Sequence, residues 1–86
     1  MPEICRFYGI IIRMFWAVHP PPHFHAVYGE YEAVIDILTS EILEGQLPRR
    51  AHSLVSEWIN LHNRELLELW ESARQSRPLR RIDPLP

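Results

Sequence analysis

Lysine is absent from this chain of 86 residues, and all nine of its cationic side chains are arginine. Nine arginines against eleven carboxylates leave a formal charge of −2. That balance argues against a general nucleic-acid binder, which shows a basic stripe. Arginine still suits bidentate contact with phosphate or carboxylate, although genome composition yields the same bias. Cysteine occurs once, as Cys5, which excludes an internal disulfide and a thiolate metal cluster. Cys5 lies in an apolar stretch and reads as core rather than nucleophile. Long apolar runs are missing too: the run over residues 10–18 is broken by Arg13 and is too short to cross a bilayer. The opening Met-Pro-Glu-Ile-Cys lacks the basic start and cleavage site of a secretion signal. The expectation is a soluble, reduced, cytoplasmic protein.

What is present suits a small globule. A chain of this size makes one domain and buries roughly 60–70% of its unfolded surface. A hydrophobic content of 47%, with three Trp, three Tyr and three Phe, is ample for folding. Residues 4–7 and 10–16 are rich in β-branched and aromatic side chains with Gly9 between them. They predict one bent strand or two short ones. Both faces of the second piece are largely apolar, which places it centrally in a sheet. Residues 23–28 and 31–38 flank Gly29-Glu30 and predict a hairpin. Thr39-Ser40 marks the next turn, and residues 41–45 a short last strand.

From Pro48 the period changes. Ala51, Val55, Trp58, Ile59, Leu66, Leu69, Trp70 and Ala73 form an apolar stripe at three- and four-residue steps. Pro48 fits a first helical turn, where its missing N–H is not needed. About 25 residues of helix would run near 37 Å, long for so small a sheet. The helix therefore either overhangs the sheet or is shared with a partner chain, as in a homodimer. Residues 76–86 carry three prolines with Arg77, Arg80 and Arg81. This tail is either disordered or, through Leu79, Ile82 and Leu85, an extended strip laid on the body. The expected fold is one α+β domain: an antiparallel meander of three to five strands over 1–47, a helix over 48–75 and an extended tail over 76–86.

Three histidines fall within seven residues, in His19-Pro20-Pro21-Pro22-His23-Phe24-His25. Imidazole ligates metals as the neutral ring and exchanges protons near neutral pH, and prolines lower the entropy lost on ordering such a site. The same segment carries a family resemblance. It joins Arg6-Phe7-Tyr8-Gly9-Ile10, Ile12-Arg13-Met14, Pro21-Pro22-His23-Phe24-His25-Ala26, Tyr28-Gly29-Glu30, Leu43-Glu44-Gly45 and Leu47-Pro48. Trp58, His62, Glu65-Leu66 and Trp70 complete it. These residues resemble the small bacterial proteins grouped as domain-of-unknown-function family 4160. That family has no settled biochemical activity. Its members are often encoded beside a second small protein, commonly of domain-of-unknown-function family 2442, and have been grouped with toxin–antitoxin components. The resemblance implies a partner and a genetic context, not a reaction.

Three kinds of chemistry remain open. In the first, His19, His23 and His25 with Glu30 hold zinc or iron, since residues i and i+2 of a strand share a face. The alternative is a pair of histidines that only hydrogen-bond to backbone or to Glu30. In the second, the chain cleaves RNA without a metal, with His23 and His25 as base and acid. Arg13 or Arg6 would clamp the phosphate, and Tyr28 or Tyr8 would stack a base or donate a proton. Against this, Arg13 could pair with Glu32 or Asp36 across strands. In the third, the chain is a non-catalytic partner-binding module, an antitoxin or adaptor, using the long helix, the tail or an open strand edge. His62, on the apolar helix stripe, reads as a core residue, and His52 as exposed. Arg49-Arg50, placed against the helix dipole, point either to an outside anion or to a solvated turn. Clustering decides among these, because catalysis or metal binding needs the side chains within a few ångströms of one another.

Overall fold

In the computed structural model, which describes residues 2–16 and 19–86, short turns fold the first half of the chain into an antiparallel meander. Its strands are β1 (Glu3–Phe7), β2 (Ile10–Arg13), β3 (His23–Tyr28), β4 (Tyr31–Asp36) and β5 (Ile42–Gly45), hydrogen-bonded in that order. Helix α1 (Arg49–Arg74) follows. This is the expected α+β architecture. The strands are shorter than their apolar runs: β2 stops at Arg13, before Phe15 and Trp16, and β4 stops at Asp36. Ala17 and Val18, the end of the run that begins at Ile10, lie outside the described residues.

Local chemistry sets the turns. Tyr8 and Gly9 close β1 on β2 with φ of 49° and 80°, and two consecutive positive values are what a type I′ turn needs to match the strand twist. The β4–β5 turn is held by Asp36, whose Oδ1 accepts the N–H groups of Leu38 (2.7 Å) and Thr39 (3.2 Å). At the end of β5, Gly45 has φ 77°, and a Cβ there would run into the carbonyl oxygen of Glu32. No other residue fits that crossing.

The register gives the sheet two unlike faces. Cys5 pairs with Ile12, Ile12 with Ala26, and Ala26 with Ala33, while Phe24 pairs with Ile35. These side chains are buried under α1. A bulge between Glu3 and Cys5 inserts one residue into β1. It lets neighbours Ile4 and Cys5 both enter the core, while Glu3 and Arg6 share the outer face and pair at 2.8 Å. Cys5 is a core residue, as expected, and burial pushes its thiol pKa up.

Helix α1 lays Ala51, Val55, Trp58, Ile59, Leu66, Leu69, Trp70 and Ala73 on that core, the stripe read from the sequence. Trp58 is wholly buried, with Phe7 of β1 at 5.3 Å and Phe24 of β3 at 5.7 Å between ring centroids. A straight helix of 26 residues would measure about 39 Å, more than the 32 Å long dimension of the molecule. The helix instead bends at His62 (φ −122°, ψ 24°). Next to the bend, Asn63 Nδ2 donates to the Ile37 carbonyl at 3.1 Å and ties the helix to the sheet.

The helix ends in a Schellman motif. The N–H of Arg77 reaches the Ser72 carbonyl at 2.9 Å, and that of Ser76 reaches Ala73 at 3.2 Å, with Ser76 at φ 57°. The tail then runs back as an ordered strap. Ile82 is buried and its N–H donates to the Ile4 carbonyl at 2.8 Å. Three aromatic donors hold its main chain: Trp16 Nε1 to Arg77 O (2.7 Å), Trp58 Nε1 to Asp83 O (2.8 Å) and Tyr8 Oη to Pro86 O (2.6 Å). Arg81 adds an ion pair to Glu3 at 3.2 Å. Of the two expectations for this segment, the extended strip is the one realised.

Two stability measurements follow. Trp58→Phe keeps most of the ring but leaves the Asp83 carbonyl without its donor; we expect a loss of about 1–2 kcal/mol in urea unfolding and faster hydrogen exchange at Ile82. An unchanged Ile82 amide would mean that the tail is held independently of Trp58. Ser76→Gly removes the cost of a non-glycine residue in the left-handed region and should stabilise by about 1 kcal/mol, raising Tm by about 4–8 °C.

Candidate functional site

The face of the sheet opposite the core carries His25, and His23, at the open end of β3, lies where its ring also reaches Trp70 of α1. Pairing runs Glu3–Arg13–His25–Val34–Glu44 across all five strands, and Arg6–Ile11–Val27–Glu32 in the next row. Because successive strand residues alternate faces, His23 and His25 fall on this side. Their ring centroids are 6.0 Å apart.

Each ring is anchored through the same nitrogen. His23 Nδ1 lies 2.8 Å from the Pro21 carbonyl oxygen. A carbonyl only accepts, so Nδ1 carries the proton. His25 Nδ1 lies 3.3 Å from Glu32 Oε2, again an acceptor. Neither Nε2 is bonded or buried among the described residues. With the proton on Nδ1, Nε2 of each neutral ring is its free acceptor. Packing fixes their planes: Phe15 meets His25 edge-on at 4.5 Å, and Trp70 of α1 sits 5.0 Å from His23. Arg13 is the cross-strand neighbour of His25 and has no ion-pair partner among the described residues. On the other side of His25, Glu32 and Glu44 line a shallow depression with Val34 and Gly45.

The structure does not bring the remaining expected residues here. Tyr28 is three residues beyond His25 and so faces the helix side, beside Ile10, Ala51 and Leu54; the two-residue period of the strand dictates this. Glu30 lies in the β3–β4 turn, separated from His25 by about 10 Å of strand and by the turn itself. The carboxylate that reaches His25 is Glu32, not Glu30. His19 is exposed, ahead of the cis Pro20–Pro21 bond. Among the described residues no three His, Cys, Asp or Glu side chains converge on a metal position. The set His19, His23, His25 and Glu30 is thus not assembled, and no zinc or iron site follows from it. Arg13 does not take the expected bond to Glu32 or Asp36, since Glu32 is engaged by His25 and Asp36 by its own turn.

The other two histidines are structural. His52 is not exposed as expected: half-buried, it uses Nε2 to donate to the Ser40 carbonyl at 2.7 Å. His62 packs 5.8 Å from Trp58 and donates from Nδ1 to Glu65 Oε1 at 2.6 Å. That bond, with Arg80 beside it, holds the Glu65 carboxyl below its ordinary range. The Nε2 of His62 is buried without a partner.

A family profile matches residues 9–71, that of a domain of unknown function, DUF4160. The chain belongs to the DUF4160 family. Neither a curated protein nor a solved structure matches it. The matched span of this DUF4160 chain holds Arg13, Phe15, His23, His25, Glu32 and Trp70, and so the whole of the exposed-face site. Strand β1 and the strap lie outside it. No helix among the described residues is long and apolar enough to cross a membrane.

The tautomer assignment can be read directly. In ¹⁵N spectra of the neutral rings, His23 and His25 should both show the proton on Nδ1. Glu32→Ala should change the tautomer balance of His25 alone. A His25 ring indifferent to that substitution would show that Glu32 does not orient it.

Proposed function

We propose that the exposed sheet face is an acid–base site for cleaving RNA, and that the chain is the acting member of a toxin–antitoxin-like pair. One observation supports the reading: two imidazoles 6.0 Å apart, each anchored through Nδ1, with neither Nε2 bonded among the described residues. Cleavage through the 2′-hydroxyl needs one group to accept its proton and another to protonate the leaving 5′-oxygen. His23, bonded to a neutral carbonyl, serves as the base. His25, beside the Glu32 carboxylate that can balance a positive ring, serves as the acid. The 2′-oxygen bonds to phosphorus, the P–O5′ bond breaks, and a 2′,3′-cyclic phosphate and a 5′-hydroxyl result. Arg13 lies where it can contact the phosphate. Glu32 and Glu44 repel phosphate from the β4–β5 side, so the strand would cross on the β2 side.

The partner, on this reading, would sit on the same face. Ile11, Phe15, Val27 and Val34 are only partly buried there, and a small protein such as the family-2442 neighbour that the resemblance implies would block both histidines by covering them.

The test is incubation of the purified chain with single-stranded RNA, reading fragment ends for cyclic phosphate. Wild type should cleave, His23→Ala and His25→Ala should each lose about 100-fold or more, and Arg13→Gln should lose about tenfold or more. Absence of cleavage, or cleavage surviving both histidine substitutions in folded protein, would overturn the reading.

A further inference from the structure

A second site lies on the opposite side of the sheet. Between the β1–β2 turn and the first turns of α1 is a pocket of about 270 Å³, lined by Tyr8, Ile10, Tyr28, Arg50, Ala51 and Leu54 among others. Its floor is apolar, since Ile10 and Ala51 are buried in the core. Its aromatic walls are fixed by the fold. Tyr8 belongs to the type I′ turn and its hydroxyl donates to the Pro86 carbonyl at 2.6 Å. Tyr28 lies over Gly9, its ring carbon 3.4 Å from where a Cβ would stand.

One lining side chain is charged. Arg50 is exposed and forms no ion pair among the described residues. Its neighbour Arg49 is a second cation, and the first turn of α1 holds no acidic residue to neutralise either. The pocket therefore joins flat apolar walls to an unbalanced guanidinium, and these two features together specify a ligand class.

We propose that this pocket binds a small aromatic acid, its ring against the tyrosines and the apolar floor and its carboxylate on Arg50. The volume suits one or two fused rings. Ring-on-ring contact favours a planar occupant, and a guanidinium binds a carboxylate through two parallel hydrogen bonds. The site shares no residue with the histidine face and does not depend on its chemistry.

The probe is indole-3-acetate, titrated into the full chain and followed by NMR at Ala51, Leu54 and the Tyr8 and Tyr28 rings. Saturable shifts at these residues are expected. Binding should weaken about tenfold or more in Arg50→Gln, the worth of one charge-assisted contact, and comparably for the neutral indole-3-acetamide. Because Arg50 is exposed, the substitution leaves the core untouched. No saturable shift at millimolar probe would overturn the proposal. So would equal binding by the amide, or by Arg50→Gln, since the acid would then have no counter-charge in the pocket.

Discussion

A buried indole must satisfy its N–H, and in this protein that demand organises the rest. Trp58 is enclosed by Phe7, Phe24 and His62. The acceptor comes from the tail, at Asp83. One residue thus joins helix, β1, β3 and strap. The strap is accordingly part of the core and not an appendage, and Ile82 is as buried as the residues of the central strands.

The same arrangement explains why polar side chains gather on the other face. One helix can cover only one side of a five-stranded sheet. The uncovered side mixes Arg, His and Glu with Ile and Val in its rows. Side chains there sit on strand backbone with rotamers limited by their neighbours, as Phe15 limits His25. Such a surface holds polar groups in fixed relation more firmly than a loop does.

Much of the fold was legible in the sequence because it rests on local signals. Gly29-Glu30 marked a hairpin, Thr39-Ser40 a turn, and the spacing from Ala51 to Ala73 a helix face. The pairing of His23 with His25 on one side, and the exclusion of Tyr28 from it, both follow from a period of two; only the first was read. Other features depend on contacts distant in sequence. No proline or glycine announces the bend at His62, which lies beside the bond from Asn63 to Ile37, 26 residues away. The β1 bulge and the anchoring of the tail likewise depend on partners that no window of sequence contains. Glu32 rather than Glu30 meets His25 because strand register, set by the turn, decides which carboxylate faces which ring.

The strap has a further consequence at the margin of the sheet. Strand β1 is an outer strand, and Ile82 N–H and Arg81 occupy the carbonyls of Ile4 and Glu3 that a neighbouring strand would use. At the opposite margin, no described segment lies outside β5 in the strand order. The sheet is therefore directional: it is sealed on the side where the chain begins and extendable only where the meander ends. Any chain that joins it by adding a strand must enter next to β5, on the side of Glu44 and away from Arg13.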